Sequence, residues 1–493
     1  MKNTVKITAF IMLVLLTLIT AGSCGGKSAE EANQTGVNIP EAVNAGNNGE
    51  SGGGQPADDK LVYDDVPELD FGGYEYRVLF GDFGERSGVH FYPETEEGEV
   101  LNDSVYRRNL KVQERFNVEF KATTVAGGGS GTLTKSVNAG SDDYDMIMVV
   151  DREAHTASER NLLYPINKLE YVDLSKPYWM QEVNRLISVG NKLDYAFSDE
   201  VLSVFENTIV VYFNKKMAQD LGLEDFYSLV RTGEWTFDRF FESARAGIKN
   251  VSGSEKMTDD DYWGIIADPG LFYSFWINAG INTVEKDEND IPYFNLPGNE
   301  RFFNVCQKGF DNLTVEGIYN ANSSSAASNT FFRNGRALFN VGLIMEMIDL
   351  RDMPDDFGAL PFPKYDSVQE RYYTRLGGGR PFVIPATNQR PDIAGAVMES
   401  MACETRNTVF PAYYESSLKN KFSRDLDTVE MLDLIRETST WDFGCITWGQ
   451  QIGGPLVDIF AKKTNTIASW VEKNQEKIET LIQKSVDAIL NAE

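Results

Sequence analysis

Few side chains of this sequence are suited to covalent or metal chemistry. The chain of 493 residues has two histidines, His90 and His155, and four cysteines, with no Cys-x-x-Cys pair. This set argues against a Cys/His zinc site, and neither a His-Glu-x-x-His helix nor a nucleophile elbow between a strand and a helix is found. Asp and Glu number 74, so carboxylate pairs with the spacing of a glycoside hydrolase can always be found and none stands out. The sequence predicts no cofactor and no metal site.

The side chains best placed for binding lie where predicted strands end. Asp82 follows the first predicted strand, Tyr74–Phe80, and the pair Asp151 and Arg152 follows the third, Tyr144–Val150. Open α/β sheets usually bind ligands in loops at the carboxyl ends of their strands. A carboxylate beside a guanidinium also offers acceptors and donors in fixed geometry. The alternative for the pair is a surface ion pair that contributes little to stability.

Two further charged residues stand at candidate crossings between two halves of the chain. Glu206 precedes the continuous β-branched and aromatic run Thr208–Phe213, which is typical of a strand buried on both faces, and Asn214 can cap the helix that follows. Glu206 is either a ligand contact or a solvated loop acid. Arg380 follows three glycines in a second crossing, Tyr372–Ile384, where it either reaches into a cleft or pairs with a surface acid.

Aromatic residues, 12% of the chain, are a second source of binding surface. Trp and Tyr rings stack on the apolar C–H faces of sugars, although most aromatics in such a chain belong to the core. Trp441, Asp442 and Trp448 lie close together before the last predicted helix, and Tyr273 and Trp276 belong to an earlier helix dense in aromatics. These five residues complete the set of candidate ligand contacts, with core packing as the alternative for the aromatic ones.

Length and charge limit the class of protein. A chain of 493 residues exceeds one ordinary hydrophobic core, which favours two compact lobes with tails. The formal net charge is −28, and a surface this acidic repels nucleic acid and anionic lipid. We therefore expect no nucleic-acid partner.

The N-terminus is typical of an exported lipoprotein. Lys2 and Lys6 flank the apolar run Ile7–Ile19, and the small residues at 21–23 precede Cys24, which resembles a bacterial lipobox cysteine. We expect residues 1–23 to be a signal peptide and Cys24 to carry a lipid anchor, with an ordinary cleaved signal as the alternative. Residues 24–66 are poor in aromatics and predict a flexible tether.

The elements that must position these residues alternate between strand and helix. Strand Tyr74–Phe80, helix Leu101–Phe116, a second strand and strand Tyr144–Val150 predict a parallel α/β sheet. Beyond Asn214 the chain is richer in helices, and the last of them, Ile467–Leu490, is long and amphipathic.

Five segments in register resemble one known family over most of residues 74–490. They are YDMIMVVDREAHTASERNLLYPI, ENTIVVYFNKKMAQDLGL with GEWTFDRFFESA, FFRNGRALFNVG, DDFGALPFPK and RPFVIPATNQRPDIAGAVMESMACE. In this order they resemble the bacterial extracellular solute-binding proteins of ABC importers, in the branch that contains maltose-binding protein.

The resemblance implies an α/β, two-lobed periplasmic-binding-protein-like fold of type II, whose lobes close around one solute. Residues 70–200 and 384–435 would form lobe 1, and residues 208–375 and 445–493 would form lobe 2. The hinge would comprise Tyr195–Met217, the three-glycine crossing and a third passage near Trp441.

The resemblance also implies roles for single residues. Asp151 and Arg152 fall where related sugar binders contact hydroxyls, Glu206 falls at an acidic or polar hinge position, and Trp448 falls where relatives place a stacking Trp. Leu343–Met345 stand where maltose-binding proteins have a Trp, which argues against a maltodextrin ligand.

These observations predict a lipid-anchored receptor that captures a small-molecule solute, a sugar or oligosaccharide, and delivers it to the permease subunits of an ABC transporter. It would act as a monomer on the outer face of the cytoplasmic membrane or in the periplasm, without catalysis. A surface-anchored glycoside hydrolase and a peptide or sugar sensor without transport are the alternatives.

Overall fold

The structure of the protein is a computed structural model, and we describe its residues 61–82, 92–200, 202–321, 325–414 and 425–491. The predicted signal peptide, Cys24 and the predicted tether up to residue 60 lie outside the described residues. Within them, no helix has both the length and the apolar character needed to cross a membrane.

The chain alternates between strands and helices, as the sequence predicts. In chain order the strands are β1 (Tyr74–Asp82), β2 (Val118–Ala126), β3 (Met146–Met148), β4 (Leu163–Tyr164), β5 (Ile209–Asn214), β6 (Trp263–Ala267), β7 (Val284–Lys286), β8 (Pro292–Phe294), β9 (Tyr319–Ala321), β10 (Ala337–Leu343), β11 (Phe357–Leu360), β12 (Thr374–Arg375), β13 (Phe382–Pro385) and β14 (Ser439–Thr440). The helices are α1 (Val100–Phe116), α2 (Ser130–Asn138), α3 (Asp151–Glu159), α4 (Gln181–Ile187), α5 (Leu202–Glu206), α6 (Lys215–Asp220), α7 (Phe226–Arg231), α8 (Phe237–Ala246), α9 (Leu271–Asn278), α10 (Glu300–Leu313), α11 (Ser325–Arg333), α12 (Met347–Leu350), α13 (Pro391–Glu404), α14 (Leu426–Glu437), α15 (Phe443–Thr447), α16 (Gly453–Ala461) and α17 (Ile467–Leu490).

The first of two five-stranded sheets has the strand order β2-β1-β3-β13-β4. β1 pairs in parallel with β2 along its whole length, from Tyr74 opposite Val118 to Asp82 opposite Ala126. β13 is antiparallel to both β3 and β4, so a strand from late in the chain joins the two. The carboxyl ends of β1 and β3 and the start of β13 therefore meet at one edge of this sheet.

The second sheet has the order β11-β5-β10-β6-β9. All six residues of β5 are buried, as its apolar composition predicts for a central strand. Asn214 caps α6 by accepting the N–H of Met217 at 2.8 Å. β5 is antiparallel to β10, whereas β10, β6 and β9 run in parallel, so the carboxyl ends of these three lie at one edge beside the start of β5.

The three predicted crossings run side by side. Thr208 forms a bridge with Leu376, and the N–H of Gly377 donates to the carbonyl of Asn207 at 2.8 Å. β12 pairs with β14 through Arg375 and Thr440. Backbone hydrogen bonds thus join all three segments, and their action as a hinge remains a prediction.

Two helices make contacts that the predicted lobe boundaries do not include. α14, placed mostly in lobe 1 by the sequence, packs on β11 of the second sheet, where the hydroxyls of Thr428 and Tyr227 are 2.8 Å apart. α17, placed in lobe 2, contacts β8 and also α3, where Ser485 Oγ lies 2.9 Å from His155 Nε2. The apolar face of each helix is buried by an element distant in sequence, which local pattern does not reveal.

The three cysteines of the described residues are unpaired. Cys306 and Cys403 are buried and Cys445 is half-buried. Cys403 and Cys445 therefore do not form a disulfide with each other.

Candidate functional site

On the first sheet, Asp151 is bound to the three-glycine crossing. It is the first residue of α3, directly after β3, and only 6% of it is exposed. Its Oδ2 accepts the N–H of Gly379 at 2.9 Å, its own N–H donates to the Gly379 carbonyl at 3.1 Å, and its Oδ1 accepts the N–H of Arg152 at 2.6 Å. Burial raises the pKa of the Asp151 carboxyl, and these backbone donors oppose that rise. Asp151 thus joins α3 to the crossing.

On the second sheet, Asp268 follows β6 and precedes α9. Its Oδ1 accepts the N–H of Gly270 at 2.6 Å, which closes the turn into the helix. Gly342 and Leu343 end the neighbouring strand β10. The carboxylate of Asp268 and the backbone groups of Gly342 and Leu343 therefore lie at the edge of the sheet where these parallel strands end.

Two adjoining cavities lie at these strand ends. The larger, of about 760 Å³, falls within the roughly 300–1,000 Å³ of small-molecule sites. It is lined by Asp151, Arg152, Glu153, Thr156, Tyr273, Ile277, Arg375, Leu376, Gly377, Asp442, Cys445, Ile446, Thr447, Gly449, Gln450, Gln451 and Gly454. The smaller, of about 190 Å³, is lined by Asn207, Ile209, Asp268, Gly270, Leu271, Ser274, Val341, Gly342, Leu343, Arg375 and Gly377. Arg375 and Gly377 border both cavities.

Arg375 forms the wall between the two cavities, and Tyr273, which lines the larger one, packs against it. The guanidinium carbon of Arg375 lies 4.7 Å from the centre of the Tyr273 ring, a cation–π contact, and its Nη1 donates to the Gly270 carbonyl at 2.7 Å. Burial lowers the pKa of Arg375 from its high ordinary value. Burial also raises the pKa of Tyr273 to about 12, which keeps the phenol protonated at neutral pH. The wall is therefore cationic, with a hydroxyl that can donate.

Asp442 borders the larger cavity but acts as an internal acceptor. Its Oδ2 accepts from Trp276 Nε1 at 3.2 Å and from the N–H of Thr283 at 3.1 Å. Its Oδ1 accepts the Thr283 hydroxyl at 2.8 Å and the N–H of Gly444 at 3.0 Å, which caps α15. Burial raises the pKa of Asp442, and these donors oppose the rise. Both carboxylate oxygens are thus already used by the protein.

The three tryptophans named from the sequence lie in the core. Trp276 and Trp441 are almost fully buried, and Trp441 packs on Phe197 with ring centres 4.7 Å apart. Trp448 is 4% exposed, with its ring centre 5.6 Å from that of His155. None of the three lines either cavity, although Trp448 lies between two lining residues. A ligand contact by Trp448 remains a prediction.

The remaining predicted residues lie beside the crossing. Glu206 is buried at the end of α5, and Arg380 is half-buried. Burial lowers the pKa of Arg380, and the charges of Glu206 and Asp151 raise it, so these three groups share one electrostatic environment. Neither Glu206 nor Arg380 lines the cavities. Asp82 ends β1 at the same edge as Asp151, and its side chain is outside the description.

The structure therefore brings Asp151, Arg152, Tyr273 and Asp442 together around one cavity, which the three tryptophans do not line. Within the described ranges, no group of three His, Cys, Asp or Glu side chains is arranged to hold a metal ion. Sequence reasoning missed Arg375, Asp268 and Ser274. The signal for Asp268 was present, since Asp-Pro-Gly follows the strand YWGIIA directly.

Comparison with a family model agrees with this architecture. Residues 101–402 match the model of the family described as bacterial extracellular solute-binding protein. A search of curated protein sequences finds no match.

Three solved structures share the fold at low identity. A cyclo/maltodextrin-binding protein complexed with maltotetraose has a TM-score of 0.54 and 13% identity, and the alignment covers 85% of this chain and 97% of that one. The galacto-N-biose/lacto-N-biose I-binding protein of an ABC transporter from Bifidobacterium longum, in complex with lacto-N-biose, has a TM-score of 0.52 and 15% identity over 82% and 98%. The UgpB protein of Mycobacterium tuberculosis, in complex with glycerophosphocholine, has a TM-score of 0.52 and 15% identity over 85% and 99%. The predicted two-lobed α/β fold of type II is thereby confirmed.

Proposed function

Because the chain belongs to the family of bacterial extracellular solute-binding proteins, we propose that its solute is a sugar or oligosaccharide, delivered to an ABC transporter permease. The observation that carries this proposal is the cavity of about 760 Å³ at the joined crossings. Its lining comes from α3 on one side and α9 on the other, so a solute there would contact both parts of the chain. Contacts made on both sides favour a closed arrangement over an open one.

The chemistry of the lining supports a polyhydroxylated solute. Arg152, Arg375, Gln450 and Gln451 supply hydrogen-bond donors, and the amides also accept. Tyr273 is half-buried and brings an aromatic ring to the same wall. Two of the three structural relatives described above were solved with oligosaccharides, maltotetraose and lacto-N-biose.

The hydrogen bonding of the carboxylates supports binding without catalysis. Asp151 and Asp442 accept hydrogen bonds from the protein on both oxygens, which leaves little capacity for proton transfer to a glycosidic oxygen. Glu153 is different, because its Oε2 is buried and has no hydrogen-bond partner within the described residues. Of the carboxyl groups that line the larger cavity, Glu153 is therefore the one best suited to serve as the acid of a hydrolase.

A screen of ligands tests the proposal. The chain from residue 60 is heated with mono- and oligosaccharides, polyols, peptides and glycerophosphocholine. We expect a saccharide to raise the melting temperature, since ligand at about a hundredfold excess over Kd adds about 2.7 kcal/mol of stability. The bound saccharide should be recovered unchanged. Recovery of a cleaved product would show an enzyme, and stabilisation by peptides alone would show a different receptor.

Substitution of a lining residue tests whether the saccharide binds in the larger cavity. Tyr273→Ala should weaken binding of the stabilising saccharide by about tenfold or more, because it removes both the ring and the support of Arg375. The matched control is Tyr293→Ala, since Tyr293 is exposed on β8. Equal affinity in the two variants would place the saccharide elsewhere.

The lipid anchor at Cys24 belongs to the same proposal. The apolar run followed by small residues and Cys24 supports it, and it would hold the receptor at the outer face of the cytoplasmic membrane. In membrane fractionation, Cys24→Ser should release the protein, and unchanged retention would exclude this anchor.

A further inference from the structure

The smaller cavity is too small to hold a ligand by itself. Its volume of about 190 Å³ lies below the roughly 300–1,000 Å³ of small-molecule sites. It shares Arg375 and Gly377 with the larger cavity, and it is lined by Asp268, which follows β6, and by the end of β10. It has the size and the position of a side pocket that receives one end of a ligand seated in the larger cavity.

Ser274 gives this pocket a hydroxyl without a partner. The residue lies on α9, lines the smaller cavity and is 0% exposed. Its Oγ has no hydrogen-bond partner in the described part of the chain. Burying an unpaired hydroxyl is costly, and the cost is removed when a ligand hydroxyl pairs with it.

Arg375 gives the pocket donors that the protein leaves unused. In the described part of the chain, its guanidinium makes one hydrogen bond, from Nη1 to the Gly270 carbonyl. A guanidinium has five N–H donors in a planar fork, so the others remain for ligand on either side of the wall. The ring of Tyr273 beneath it holds the fork in place.

The charges around the pocket favour a neutral ligand. Asp268 and Arg375 both line the pocket, where Asp268 Oδ1 accepts the N–H of Gly270 at 2.6 Å and Arg375 Nη1 donates to the Gly270 carbonyl at 2.7 Å. A carboxylate and a guanidinium at one wall offer acceptors and donors together. An anion would be repelled by Asp268, whereas hydroxyl groups, which both donate and accept, suit the pair.

We propose that the smaller cavity seats one terminal monosaccharide unit of an oligosaccharide, with Ser274 and Asp268 bonding its hydroxyls and Arg375 spanning this unit and the next. This assignment rests on the proposed function and adds recognition of a chain end. Because the pocket has room for one unit, a saccharide extended at the seated end does not fit.

Calorimetric titration of the chain from residue 60 with oligosaccharides of increasing length tests the assignment. Ser274→Ala should weaken the best wild-type ligand by about threefold to tenfold, the effect of one hydrogen bond. The free protein loses no hydrogen bond in this variant, so its melting temperature should not fall. Ser328→Ala is the matched control, because Ser328 is also buried with an unpaired hydroxyl and lies outside both cavities.

Two further measurements separate the outcomes. Ser274→Val, which replaces the hydroxyl with two methyl groups and narrows the pocket, should weaken binding of that ligand more than Ser274→Ala does and spare a ligand one unit shorter. For the wild-type protein, a bulky group attached to the end of the ligand that enters the smaller cavity should prevent binding, whereas the same group at the other end should not. If Ser274→Ala and Ser328→Ala bind equally well, or if both ends tolerate the group, the pocket assignment is wrong while saccharide binding stands. If the wild type binds no saccharide, the proposed function itself fails.

Discussion

A single buried carboxyl, Glu399, shows how burial controls protonation in this protein. It lies on α13 with no exposed surface and accepts the Tyr178 hydroxyl at 2.5 Å and Trp179 Nε1 at 2.9 Å. Burial raises its pKa from 4.5 to about 7, and the two hydrogen bonds only partly oppose this rise. At pH 6 the folded chain therefore holds a proton that the unfolded chain has lost.

Glu399→Gln should flatten the dependence of stability on pH. With the pKa raised on folding, the stability that Glu399 contributes is full below pH 4.5 and is lost as pH rises through 7, a change of about 3 kcal/mol. Gln does not titrate, so the difference in the free energy of unfolding between wild type and variant should shrink as the pH rises across this window. Urea unfolding from pH 4.5 to 8 measures this difference.

The control for this experiment is Glu472→Gln, because Glu472 is exposed on α17. His155 acts in the opposite direction, since burial lowers its pKa to about 3 and stability falls as pH drops below 6.5. His155 is present in every variant and cancels in the comparison. Parallel curves for wild type and Glu399→Gln would show that Glu399 does not titrate between pH 4.5 and 8.

At the level of residues, the sequence located side chains but not their partners. Asp151 could be placed at a strand end because the buried run before it is apolar. The N–H that binds its carboxylate belongs to Gly379, 228 positions later, and no local pattern indicates it. Likewise the acceptor for Trp276 is Asp442, 166 positions away, so an aromatic that could have stacked on a sugar is instead held in the core.

Among the elements, the hairpin of β7 and β8 is fastened to the end of α4. Lys286 is 8% exposed at its side chain and donates to the carbonyls of Arg185 and Ser188 and to Asp290. Asp290 in turn accepts the N–H of Asn191 at 2.9 Å. One ammonium group thus joins the hairpin to a segment about a hundred residues earlier.

Lys286→Met should loosen this hairpin. The variant keeps the apolar stem but lacks the ammonium group. The two carbonyls and the carboxylate lose the donor that Lys286 supplies, which should lower the free energy of unfolding by about 2–3 kcal/mol. Amide hydrogen exchange should accelerate in residues 284–294. The control is Lys216→Met, whose exposed pair with Asp220 contributes little. Unchanged exchange in the hairpin would show that other contacts hold it.

Elements with strong periodicity were predictable, and their neighbours were not. α17 spans Ile467–Leu490 in the structure, as its apolar stripe predicts, and the strand YDMIMVV was found although β3 is shorter. The packing of α14 on β11 was not predicted. An amphipathic pattern indicates that one face of a helix is buried, but it does not indicate which element buries it.

At the scale of the molecule, the residues just after the predicted tether are part of the fold. Asp64 binds both Nη atoms of Arg115, at 2.7 and 2.8 Å, and Val62 exchanges two hydrogen bonds with the side chain of Asn407. Val66 is buried beside them. Of the expected tether, residues 61–66 are therefore ordered against α1 and the segment after α13.

Asp64→Ala should destabilise the whole chain. Its side chain is 3% exposed, and its loss leaves Arg115 without a bidentate partner, at a cost of about 2–3 kcal/mol. A chain that starts at residue 72 should lose at least as much. Asp65→Ala is the control, since Asp65 is 80% exposed and its pair with Lys176 should contribute little. Equal urea midpoints for Asp64→Ala and Asp65→Ala would contradict the proposed role of this segment.

The place of β13 also sets an order of folding. β4 pairs with β13, and β13 is also the second neighbour of β3. Both β3 and β4 lie far earlier in the chain than Phe382, where β13 begins. A chain that emerges from its N-terminus first cannot complete this sheet until residue 385 has appeared. Contacts so distant in sequence form slowly, since a long loop must close before they are made. The first sheet can therefore begin with β1, β2 and β3, which pair with one another, but it acquires its last two strands only after β13 has been made.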